Sequence, residues 1–202
     1  MQVGSVVSEK LPLIMHEDHR HVIAPDPGHR LPVRPDDIVE FRLAQLLLLL
    51  DTIHRTGLRA PTIERLGYYD FFAANPFLIL NNEDDGRLEM ILAGFEPRSL
   101  SYNSSAQRFT NRRSRLQHDL ATLTAWGSVL PFNSDGSVIY EIADSGREFA
   151  ERFSSMYARA YRKSAQIIVR RLSRLSDRQL TIETKKWLRA EHFMIDLFDD
   201  GV

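Results

Sequence analysis

Apolar positions recur along this chain at two different periods, helical and strand-like, and the periods divide it into elements. From Asp36 to about His54 nearly every face is apolar, with Leu43-Ala44-Gln45-Leu46-Leu47-Leu48-Leu49-Leu50 at the centre. A helix of that kind is buried on most sides. Asp36-Asp37 after Pro35 favour its start by charge, and Gly57 ends it. A second helix is predicted over Thr62–Ala74, with Pro61 at its first turn and Leu66, Tyr69, Phe72 and Ala73 on one stripe. Asn75-Pro76 stops it. A polar loop over 81–87 leads to a short helix from Leu88 to Phe95 and a connector from Pro97 to Ser105. Phe109, Leu116, Leu120 and Leu123 then mark a helix over 106–126, closed at Trp126-Gly127 by a glycine free to take a left-handed cap.

Next the period changes from helical to strand-like. Val129-Leu130-Pro131-Phe132 and Val138-Ile139-Tyr140-Glu141-Ile142 flank Asn133-Ser134-Asp135-Gly136, and Asp-Gly between β-rich runs signals a hairpin. Ser145 and Glu148, at capping-box spacing, open one long helix to about Ser173. Its stripe runs through Phe149, Phe153, Met156, Tyr157, Ala160, Ser164, Ile167, Ile168 and Leu175. Ser176-Asp177 cap a last helix through Trp187 to Phe193. Helix, hairpin and helix in succession predict a winged-helix domain within a mainly α chain that has one small β-hairpin and extra N- and C-terminal helices. The chain divides into a Pro-rich extended strap over 1–35, a helical winged domain over 36–193 and an acidic tail over 194–202. The fold leaves the target open, because winged helices bind DNA, RNA or protein.

Composition narrows the chemistry. With 43% apolar and 26% charged residues among 202, the chain suits one globular domain. It has no cysteine, which excludes disulfides, thiolate catalysis and Cys-based zinc sites. No apolar run is long enough for a bilayer and no secretory signal opens the sequence, so a cytoplasmic protein without membrane contact is expected. The net charge of −1 is uneven: residues 106–178 hold 13 Lys/Arg against 7 Asp/Glu, whereas residues 1–105 hold 10 against 15. A basic winged region suits a phosphate backbone or an acidic protein partner.

The candidate binding residues lie on the helix over 106–126 and on the wing. Arg108, Asn111, Arg115, His118 and Thr122 fall opposite the apolar stripe, and Arg112 and Arg113 flank it. In a recognition helix this set would face a groove, where Arg forks onto guanine or phosphate and Asn onto adenine. Asn133 and Ser134 sit at the expected wing tip. The plain alternative is that an amphipathic helix needs a polar face and Arg is a good helix former. No Lys or Arg lies between Val129 and Ile142, and Asp135 occupies the tip, so a wing seated in a negative minor groove is disfavoured and backbone contact with little sequence specificity is expected.

Other constellations carry less. Tyr68-Tyr69-Asp70-Phe71-Phe72 could stack bases but reads more simply as core. His16, His19 and His21 match no zinc spacing, the acids of residues 83–85 lack the EF-hand pattern, and Asp51 and His54 have no nucleophile near them. With no phosphate-binding Gly loop, Gly-x-Ser-x-Gly or His-Glu-x-x-His, no catalytic, cofactor or metal residues are assigned and a non-enzymatic protein is expected.

Four features in order support a resemblance. They are the apolar helix followed by Arg65-Leu66-Gly67-Tyr68-Tyr69-Asp70-Phe71-Phe72, and the Arg-rich helix ending in Leu123-x-x-Trp126-Gly127. Then come the wing closing into Ser145-Gly146-x-x-Phe149, and Phe153-x-x-x-Tyr157 leading through Leu175-Ser176-Asp177 to Trp187 and Phe193. Over roughly residues 36–193 the chain resembles the small middle-component proteins of bacterial three-component ABC-ATPase systems, similar to the middle-sized subunit of Lamassu-type anti-phage defence. The resemblance implies an adaptor that sits on an SMC-like ABC ATPase, bridges it to an effector subunit and touches DNA backbone at most weakly. The apolar surface of the Leu-rich and long helices adds the expectation of a homodimer or a stable complex. A dimeric winged-helix transcriptional regulator and an interaction module unconnected with DNA remain open beside it.

Overall fold

The computed structural model describes residues 35–97 and 104–199, with side chains described except at Asp36 and residues 190–199. These residues form a mainly helical body with one two-stranded antiparallel hairpin. A 3-10 turn over Pro35–Asp37 leads into α1 (Val39–Arg55), followed by α2 (Ile63–Ala74), a 3-10 turn over Pro76–Leu78 and α3 (Asp85–Leu92). Then come α4 (Ser105–Ala125), β1 (Val129–Ser134), β2 (Ser137–Ile142), α5 (Asp144–Glu151), α6 (Met156–Leu172) and α7 (Asp177–Asp199). The Pro-rich strap, apart from Pro35, and the His16, His19, His21 cluster lie outside the described residues.

The Leu-rich helix is the hub. Leu43, Leu46 to Leu50 and Ile53 are all buried, because α2, α4, α5, α6 and β2 surround α1. Each fully buried Leu contributes about 1.5–3 kcal/mol of transfer free energy. The aromatic run of α2 belongs to the same core. Phe71 meets Phe109 edge-on at 5.1 Å, and Phe72 meets Trp187 edge-on at 5.3 Å. Among the described residues no helix is long and apolar enough to cross a membrane.

Several boundaries differ from the expected ones. Pro61 precedes α2 rather than opening it, since Thr62 is the N-cap and its hydroxyl accepts from Arg65 N–H. α3 starts at Asp85, inside the loop predicted over 81–87, and ends at Leu92 rather than Phe95. The single long helix predicted over 145–173 is two helices. Its break has two causes: Arg162 donates to the carbonyls of Ala150 and Phe153, capping the end of α5, and the Ser155 hydroxyl accepts from Ala158 N–H, opening α6. Residues 194–199, expected as a tail, continue α7.

The expected capping box at Ser145 does not form either. Ala143 holds the N-cap position, and Ser145 Oγ donates to the Gly127 carbonyl at 2.7 Å. The cap expected at Ser176 does form, as a box with Gln179: Ser176 N–H donates to Gln179 Oε1 at 2.9 Å, and Gln179 N–H donates to Ser176 Oγ. The hairpin is also tighter than its sequence suggests. β1 and β2 pair from Val129↔Ile142 to Ser134↔Ser137, which leaves only Asp135 and Gly136 in the turn. Both have positive φ, 52° and 76°, as a type I′ turn requires.

α5 crosses the α4–β1 junction so closely that only glycine fits at 146. A Cβ there would lie 2.2 Å from the Ser128 carbonyl oxygen and 2.9 Å from Ile142 Cγ1. Backbone cannot yield as a side-chain tip can. Gly146→Ala should therefore lower stability by about 3 kcal/mol or more, measured by urea denaturation. Ala at Gly67, where the nearest atoms lie at 3.6 Å, is the tolerated control.

Candidate nucleic-acid or partner interface

The predicted binding residues of α4 do not form one exposed basic face. Arg112 is 7% exposed and points into the helical body. Its Nε and Nη2 fork onto Asp70 of α2 at 2.5 and 2.9 Å, and Nη2 also donates to Gln45 Oε1 of α1 at 2.7 Å. Gln45 Nε2 in turn donates to the Tyr157 hydroxyl of α6. Two turns further along α4, Asp119 accepts a second fork from Arg42 of α1 at 2.9 and 3.0 Å. Arg112 is thus corrected from a groove-facing contact to a buried structural link. A heptad spacing puts Arg112 and Asp119 on the face that α1 and α2 cover, and a buried charge needs a hydrogen-bonded partner.

The other cations of α4 are engaged as well. Arg108 is half-buried and donates to Asn75 Oδ1 at 2.6 Å. Arg115 pairs with Asp37 at 3.1 Å. Arg113 is exposed but lies over the Tyr68 ring, 5.7 Å from its centroid. Asn111 and His118 are exposed, and Asn111 Oδ1 accepts from Gln107 Nε2. The outward face of α4 is therefore mostly neutral, carrying Gln107, Thr110, Asn111, Ser114, Gln117, His118 and Ala121 beside Arg113.

The hairpin tip is similarly occupied. Asn133 and Ser134, placed in the turn by the sequence reading, are the last residues of β1. Arg59, from the loop between α1 and α2, donates to both Ser134 Oγ and Asp135 Oδ2. The Arg59 guanidinium holds the Asp135 carboxyl below the usual carboxylate range. The hairpin exposes apolar side chains among polar ones. Directly opposed residues share a face, and Leu130 and Phe132, each 44% exposed, share one with Glu141 and Ile139. Trp126, at the end of α4, is 60% exposed.

Where the basic charge lies is the largest departure. Residues 105–151, which span α4, the hairpin and α5, hold five Lys/Arg and six Asp/Glu. Residues 152–189 hold eleven Lys/Arg and two Asp/Glu. The excess over residues 106–178 therefore belongs to the stretch after α5, and the charge of each helix taken separately points to α6 and α7 rather than α4. Among the described residues no group of three His, Cys, Asp or Glu is arranged to hold a metal ion.

Because the Arg112 fork is desolvated, removing one partner should cost far more than an exposed pair would. Arg112→Ala is expected to lose about 3–5 kcal/mol in urea denaturation. A joint Arg112→Met and Asp70→Leu replacement should recover most of that loss, since no buried charge is then left unpaired.

Comparison with curated proteins returns no match, and comparison with solved structures returns none either. Residues 93–190, from the end of α3 into α7, match the family described as ABC-three component (ABC-3C) system Middle Component 2, and this similarity supports a middle component of such a system.

Proposed function

We propose that this chain is the non-enzymatic winged-helix adaptor of an ABC-three-component system of the Lamassu anti-phage type, joining its SMC-like ATPase to its effector. The observation that carries the reading is the family match over residues 93–190, which includes α4, the hairpin, α5 and α6. The arrangement of elements supports the winged-helix part. Between α1 and α2, Thr62 bridges antiparallel to Ile139, and Tyr140 N–H donates to the Pro61 carbonyl at 3.2 Å. A minimal third strand thus joins the hairpin, in the order helix, strand, helix, helix, wing, with α3 as an addition between the last two helices.

Surface chemistry favours a protein partner at the wing. The neutral α4 face borders Pro131 and Tyr140, and Leu130 and Phe132 on the hairpin's other face and Trp126 are exposed; protein interfaces are likewise depleted in charge and enriched in aromatic residues. The regulator reading draws on the same winged order, but it needs a cationic recognition helix, and the arginines of α4 are already engaged.

The test is co-expression with the ATPase and effector subunits of the same system. Wild-type chain should co-purify with the ATPase. Replacing Leu130 and Phe132 together by Glu should abolish co-purification while leaving the far-ultraviolet circular dichroism and the urea midpoint near wild type, because both side chains are half-exposed. A wild-type chain that ignores the ATPase yet binds one promoter sequence selectively as a dimer would replace the adaptor with the regulator.

A further inference from the structure

The cationic surface on α6 and α7 has no role in the adaptor reading. α6 contains no acid at all, and its outward stripe reads Arg159, Lys163, Gln166, Arg170 at helical spacing. α7 carries a second stripe at Arg178, Ile182, Lys185 and Arg189, opposite the side from which Leu180, Thr184, Trp187 and Leu188 pack inward. Arg174 lies in the short turn between the two helices. Arg170, Arg174, Arg178, Lys185 and Arg189 are all exposed, and among the described residues none of the five has an ion pair. The only acids over residues 152–189 are Asp177 and Glu183, and they are held by Arg65 and Lys186.

The corner carrying these cations is fixed from below. Arg65 of α2 reaches under it, donating to the carbonyls of Leu172 and Leu175 and pairing with Asp177. That clamp adds a donor to the Leu172 carbonyl at the end of α6 and satisfies the Leu175 carbonyl in the turn that follows. It also holds Arg170, Arg174 and Arg178 around one turn, so their mutual repulsion is borne by the fold. Along α7, Arg178, Lys185 and Arg189 are spread over about 16 Å of helix at a 1.5 Å rise per residue. Duplex DNA presents one negative charge per about 1.7 Å of axis, so a linear row of cations of that length meets several phosphates at once.

We infer that α6 and α7 form a binding surface for the phosphate backbone of duplex DNA, without sequence preference. The composition of the stripe selects this partner over an acidic protein. Among Arg170, Arg174, Arg178, Lys185 and Arg189 the exposed large apolar residue is Ile182, and exposed Met156 lies at the far end of α6 beside Leu92, whereas a protein interface would centre on several apolar anchors. Arginine predominates among the cations and forks onto phosphate oxygens. This surface lies on elements other than the wing and stands independently of the adaptor reading.

The experiment is fluorescence anisotropy of a labelled mixed-sequence 30-base-pair duplex titrated with full-length chain at several salt concentrations. Five phosphate contacts predict a slope near −4.5 in log K against log salt, about a 500-fold loss of affinity between 50 and 200 mM. Replacing Arg170, Arg174, Arg178, Lys185 and Arg189 by Gln should remove binding at 50 mM salt. Arg113→Gln on α4 should leave the affinity within about twofold. All six are exposed, and circular dichroism with urea melts checks that each variant folds. A quintuple variant that binds as wild type does, or a wild-type chain that binds no duplex at 50 mM salt, overturns the inference. So does displacement of the duplex by poly-glutamate at equal charge as readily as by unlabelled duplex, which would assign the surface to an acidic protein. Co-purification with the ATPase should survive the quintuple replacement, and its loss would identify the surface as a protein interface.

Discussion

The constraint on which this fold depends is the placement of two charged forks inside a helical core. Arg42 with Asp119 and Arg112 with Asp70 link α1, α4 and α2, and Gln45 carries the second link on to Tyr157 of α6. Buried ion pairs are weak sources of net stability, because desolvation offsets most of their attraction. Their consequence here is positional. α1 is apolar nearly all round, and a run of leucines packs almost as well after a rotation or a slide of one turn. The bidentate contact from Arg42 to Asp119, with Gln45 accepting from Arg112 and donating to Tyr157, leaves a single rotation and height of α1 at which no charge is stranded. A register device of this kind explains why a helix so rich in Leu keeps an Arg and a Gln on its covered faces.

From that placement the surface follows. With its inward charges paired, α4 turns a mostly neutral face outward, and the hairpin adds exposed Leu130 and Phe132 rather than cations. Arg59 neutralises Asp135 at the hairpin tip, so the hairpin ends without a strong charge of either sign. The positive charge is displaced to α6 and α7. These are helices beyond the hairpin, and the match to the middle-component family includes α6 and extends into α7 as far as residue 190. The body therefore offers two chemically distinct surfaces, one with exposed apolar side chains at the hairpin and one cationic on α6 and α7.

Local pattern by itself determined most of the elements. The all-round apolar run of α1, the stripe of α4, the Asp-Gly turn and the Asn75-Pro76 stop each encode a helix, a hairpin or a boundary through short-range chemistry that neighbours need not supply. The same holds for the Ser176 cap, whose partner lies three residues away. Tertiary contacts decided the rest. The break between α5 and α6 depends on Arg162 reaching back to α5 carbonyls, and the failure of the Ser145 box depends on the Gly127 carbonyl, a partner brought close only by folding. The need for glycine at 146 arises from a strand-end carbonyl at the α4–β1 junction. Above all, the fate of each arginine was decided in three dimensions. On a helical wheel Arg112, at the edge of the apolar stripe, looks much like Arg113 beside it. Only the positions of Asp70 and Gln45, 42 and 67 residues away, make one a buried link while the other faces solvent.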